Sequence, residues 1–115
     1  MKEINGKIQY RDKELTLVFN LNVMENIQQE YGTLGKWGEL TDGANGEPDA
    51  KALIFGFREM LNEGIDIENE ENGTEIKPFT MKQVGRIITE VGLTKATEVL
   101  NDTVVKSTES AEKNA

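Results

Sequence analysis

Residues 2–32 read KEINGKIQYRDKELTLVFNLNVMENIQQEYG, and a change of hydrophobic period inside this stretch decides the fold class. Ile4, Gly6, Ile8 and Tyr10 share one side of a two-residue alternation, and Leu15, Leu17 and Phe19 do the same after the polar turn Arg11 to Glu14. Successive side chains of a strand point to opposite faces, so this pattern predicts an N-terminal β-hairpin. From Val23 the spacing becomes helical, with Val23, Met24, Ile27 and Tyr31 on one stripe and Gly32 at its end. Asn20 or Asn22 can accept hydrogen bonds from the free N–H groups of the first turn, and Glu25 stands three residues after Asn22, the spacing of a capping box. Leu21 to Tyr31 is therefore the first helix, and the class is α+β.

Working outward, TLGKWGEL carries Leu34, Trp37 and Leu40 at helical spacing but also Gly35 and Gly38, each costing about 1 kcal/mol of helix relative to Ala, so a short or frayed helix is expected. Thr41 to Glu47, TDGANGE, is turn chemistry, and Pro48 suits a helix's first turn. Ala50, Leu53, Ile54, Phe57, Met60 and Leu61 then form the apolar face of a central helix, with Gly64 in position to close it. Alternating Ile65 and Ile67 and the turn-forming pair Asn72-Gly73 make Ile65 to Lys77 a second, acidic β-hairpin or an ordered acidic loop.

Phe79 before Thr80, with Gln83 three residues on, has the form of a hydrophobic staple and capping box opening a helix over Met81 to Val91. Gly92 ends it, and Thr94 caps a last helix that turns Ala96, Val99, Leu100 and Val104 inward. KSTESAEKNA, from Lys106, has no apolar period. The expected organisation is a single α+β domain over 1–105, an N-terminal β-hairpin followed by a bundle of four to five helices, and a disordered polar tail over 106–115.

The 115 residues suffice for one modest core, since a domain of this size buries roughly two thirds of its unfolded surface. No Cys is present for a disulfide framework, and neither a secretory signal nor a membrane-length apolar run is visible, so a cytoplasmic protein is expected. The 21 acids outnumber 13 bases, and the net charge of -8 opposes binding to a phosphate backbone. The excess is local: seven acids lie between Glu59 and Ile76 without a Lys or Arg, and setting them aside leaves 14 acids against 13 bases.

Without His or Cys the chain cannot build a Ser-His-Asp triad, a Cys-His pair, or a thiolate or two-His metal site. A carboxylate dyad among Asp66, Glu68, Glu70 and Glu71 would need burial, which so polar a segment does not promise. Glu68, Glu70, Asn72 and Gly73 imitate the start of a calcium loop, but Phe79 stands where the closing bidentate Glu belongs. The residue inventory thus points to a binding protein with no cofactor. Its candidate partner contacts are the aromatics Trp37, Phe55 and Phe57; Trp37 fits a core plug better than an anchor, and Phe55 lies off the stripe of Leu53, Ile54, Phe57 and Leu61.

INGK in the hairpin, FNLN leading into the first helix, EYG closing it and the late helix PFTMKQVGRIITEVG form a series over about residues 1–100. This series resembles the tail assembly chaperones of long-tailed bacteriophages, carried by phages or by prophages of Gram-positive bacteria. The resemblance implies that the protein binds the long helical tape-measure protein, keeps it soluble, and is displaced as tail tube protein polymerises around it in the bacterial cytoplasm. It also implies self-association and, in a frameshifted longer form, recruitment of tube protein. The acidic stretch Ile65 to Lys77 is longer than the family leads one to expect. The rival from another class is an acidic DNA mimic that blocks a host nucleic-acid-binding protein, but a mimic needs carboxylates spread along a long face.

Overall fold

β1 (Ile4–Tyr10) and β2 (Lys13–Phe19) pair antiparallel, Ile4 opposite Phe19 and Tyr10 opposite Lys13, in a computed structural model that describes residues 4–42 and 46–113. Only Arg11 and Asp12 remain in the turn, and Arg11 takes the positive φ of 57° that tight two-residue hairpin turns require. Among the described residues five helices follow: α1 (Leu21–Tyr31), α2 (Leu34–Asp42), α3 (Ala50–Asn72), α4 (Met81–Val91) and α5 (Leu93–Lys113). The hairpin and helical bundle expected from the sequence are both present.

Ile8, Leu17 and Phe19 lie on one face of the hairpin and enter a core with Val23, Ile27, Phe57, Met60 and Leu100. α3 packs chiefly on β2 and α5 chiefly on β1, with smaller contacts from α1 to β2 and from α4 to β1. Local signals place the helix ends. Asn20, not Asn22, caps α1 by accepting from the Val23 N–H at 3.2 Å. Asp49 caps α3 through the Ala52 N–H at 2.9 Å, so Pro48 precedes that helix instead of entering it. Thr80 and Gln83 form the reciprocal capping box of α4. Gly92 serves two helices, donating to the Ile88 carbonyl at 2.9 Å and accepting from Ala96 at 3.0 Å, which leaves Thr94 inside α5 and not at its cap.

Four expectations need correction. Thr41 and Asp42 complete α2 and do not begin a loop; residues 43–45 of that stretch lie outside the described residues. Gly64 does not end the central helix, which continues two turns to Asn72. The glycine is there for space: a Cβ at Gly64 would stand 2.9 Å from the Thr16 carbonyl oxygen of β2. Consequently Ile65 to Lys77 is no second hairpin. Ile65 follows Leu61 by four residues and is buried like it, and Asn72-Gly73 supplies a left-handed C-cap, φ 65° and ψ 28°, in place of a hairpin turn. Finally, the polar segment from Lys106 continues α5 as far as Lys113, with Ser107 buried along it; residues 114–115 lie outside the described residues.

A candidate partner-binding groove

Past Gly64, α3 projects alongside the hairpin, and the chain then comes back over 74–80 without helix or strand structure. Two asparagines hold this return. The Asn69 side chain accepts from the Ile76 N–H and donates to the Ile76 carbonyl, both at 3.0 Å, and also accepts from the Thr74 hydroxyl at 2.7 Å. Asn62 treats Phe79 the same way, accepting from its N–H at 2.8 Å and donating to its carbonyl at 3.1 Å. Both backbone polar groups of Ile76 and of Phe79 are thus satisfied without a sheet.

Between this arm and the hairpin lies an open cleft of about 730 Å³. Its α3 wall is a stripe at spacings of one, three and four, Leu61, Gly64, Ile65, Glu68 and Glu71, apolar at the inner end and acidic at the outer. Ile67, Ile76 and Phe79 add apolar surface, Ile76 being 42% exposed. The hairpin wall is Thr16 and Val18 with Lys7, Lys13 and Glu14 at the rim. Lys7 pairs with Glu14 at 3.6 Å, both side chains more than half exposed, so the pair balances local charge and adds little stability.

The seven acids divide by role. Glu63 accepts from the side chains of Asn20 at 2.6 Å and Asn22 at 3.2 Å; Glu59 accepts from Asn26 at 2.6 Å and Arg58 at 3.2 Å. These two fasten α3 to α1. Asp66, Glu68, Glu70, Glu71 and Glu75 are exposed and make no ion pair among the described residues. Among the described residues no three acids converge closely enough to hold a metal ion.

Compared with protein-family models, curated proteins and solved structures, the chain matches none. Among the described residues no helix is long and apolar enough to cross a membrane.

None of the three aromatics singled out from the sequence lines the groove. Trp37 is buried, its indole N–H donating to the Ala52 carbonyl at 3.0 Å and its ring lying against Gly56, where any side chain would collide with it. Phe57 is fully buried. Neither can reach a partner from this fold. Phe55 alone is half-exposed: the Tyr31 ring meets it edge-on at 5.6 Å and the Arg58 guanidinium lies 5.6 Å from its centroid. Burial first, then the charges of Asp49 and Glu30, push the Tyr31 hydroxyl above the usual tyrosine range. The sequence does not reveal the groove, because Ile65 and Ile67 suit an acidic hairpin or loop as well as they suit a helix. Their signal was three isoleucines, with Ile76, inside an otherwise acidic segment.

Proposed function

We propose that this protein is a tail assembly chaperone of a long-tailed bacteriophage or prophage, which binds the tape-measure protein in the bacterial cytoplasm and keeps it soluble until tube subunits replace it. The observation that carries the reading is the groove: an open apolar cleft walled by one face of a helix and edged by exposed carboxylates. A cleft of this kind suits the apolar stripe of a helical partner, and its charged edge keeps the complex in solution. The family resemblance of the hairpin, first helix and late helix supports the same reading. In it the protein is a holder and not a catalyst, and many copies along one long partner gain by multivalency, with self-association between neighbours.

A DNA mimic is the weaker reading. Glu59 and Glu63 are occupied in joining α3 to α1, and the remaining acids of the segment sit on one projecting arm, too short a face to replace a run of phosphates. Co-expression decides between the two. A tape-measure protein from the same genome should be insoluble alone and soluble with this chain; an equally insoluble partner would overturn the proposal.

A further inference from the structure

We infer that the groove between the hairpin and the α3 arm receives an amphipathic α-helix whose apolar ridge is flanked by Lys or Arg on the side facing Glu68 and Glu71. The inference deepens the chaperone reading, on which it rests for the identity of the partner, by assigning the surface and the chemistry of the segment held. Three observations point to it.

The first is shape. At Leu61, Gly64 and Ile65 α3 already packs on β2; beyond them Ile67, Glu68 and Glu71 form the open, helically spaced wall of the cleft, with Lys7, Lys13 and Thr16 lining its other side. Ridges of this spacing pack along the grooves of another helix, and an apolar stripe laid on such a wall is a recurrent mode of peptide recognition.

The second is surface chemistry. Leu15, Ile67 and Phe79 are half-buried and Ile76 is exposed, so apolar surface remains open to solvent where a partner's ridge would lie.

The third is charge. The α3 wall is flanked by exposed acids and carries no base from Glu59 to Ile76, whereas the hairpin rim carries Lys7, paired with Glu14, and Lys13. The field across the cleft is therefore negative on the α3 side and weakly positive on the other. A second copy of this chain is nearly neutral outside its own acidic segment and so offers no excess of bases to the α3 side, and nucleic acids and anionic lipid surfaces have the wrong sign. A basic flank placed along α3 meets both the apolar floor and the acidic edge.

The test uses two designed peptides of about 20 residues, long enough to be helical, with the same Leu-rich face but flanked by Lys in one and by Glu in the other, titrated calorimetrically into the full chain. The Lys-flanked peptide should bind and the Glu-flanked one should not. Binding should weaken at least tenfold in Glu68→Lys/Glu71→Lys and less than about threefold in Glu25→Lys/Glu98→Lys, which makes the same charge change at exposed sites outside the groove. All four positions are exposed, and unchanged thermal melts would verify that both variants fold. Equal losses in the two double variants, or no binding of the Lys-flanked peptide, would overturn the inference. Co-expression with the tape-measure protein separates the two claims: solubilisation undiminished in Glu68→Lys/Glu71→Lys sinks the groove and leaves the chaperone, whereas peptide binding without any solubilisation sinks the chaperone and leaves the groove.

Discussion

Asn62 and Asn69 lie seven residues apart on α3, and each hydrogen-bonds both backbone groups of one residue in the returning segment, Phe79 and Ile76 respectively. The spacing is metrical: seven residues of helix rise about 10 Å, and three extended steps of backbone cover about the same distance. Two side chains thereby do for the arm what a partner strand would do in a hairpin.

The two asparagines should not weigh equally. Asn62→Ala strands the half-buried Phe79 N–H and carbonyl and should cost about 1–2 kcal/mol in urea unfolding, even after the gain in helix propensity. Asn69→Ala frees groups that water can satisfy, so its global cost should stay below about 0.5 kcal/mol while amide exchange at Ile76 accelerates.

Gly64 and Gly38 should answer substitution with opposite signs. Gly64→Ala puts a methyl group against the Thr16 carbonyl oxygen at 2.9 Å, backbone that cannot turn aside, and should destabilise by about 1–3 kcal/mol despite the better propensity of Ala. Gly38→Ala in α2 meets nothing within 4 Å and should stabilise by about 0.5–1 kcal/mol. Thermal melts of the two variants check the pair.

Ser107 is buried on α5, and its hydroxyl has no hydrogen-bond partner among the described residues. Ser107→Ala removes an unsatisfied polar group and improves helix propensity, so a gain of about 1 kcal/mol is expected from the unfolding midpoint.

Tyr31 links stability to alkaline pH. Its folded pKa lies above the unfolded value near 10, so the neutral phenol's contribution is fully present below that value and is lost as pH rises through the folded pKa. Its hydroxyl also lacks a partner among the described residues. Tyr31→Phe should therefore match or slightly exceed the wild type at pH 7 and lose less stability above pH 10, measured as the difference between the two urea-unfolding curves.

Where one element sets its own ends, the sequence was legible. Thr80 and Gln83 with the following apolar stripe give α4 as Met81–Val91, and the period-2 run with a polar turn gives the hairpin. What was hidden depended on partners distant in sequence. Gly64 reads as a stop unless the Thr16 carbonyl is known to need its space, and Asn72-Gly73 reads as a hairpin turn unless the helix before it is known to continue. Ile65 and Ile67 fit alternation as well as they fit a helix, and misassigning them concealed the groove wall. Trp37, which fits a core plug better than an anchor, and Phe57, which lies on the apolar stripe of α3, are both core residues, and the Trp37 indole is held there by Ala52 and Gly56.

Light scattering coupled to gel filtration, on this chain alone and on its co-expressed mixture with the tape-measure protein, tests the central claim most directly. A soluble complex whose mass corresponds to many copies of this chain per partner is predicted. An unbound chain eluting apart from an aggregated partner would contradict it.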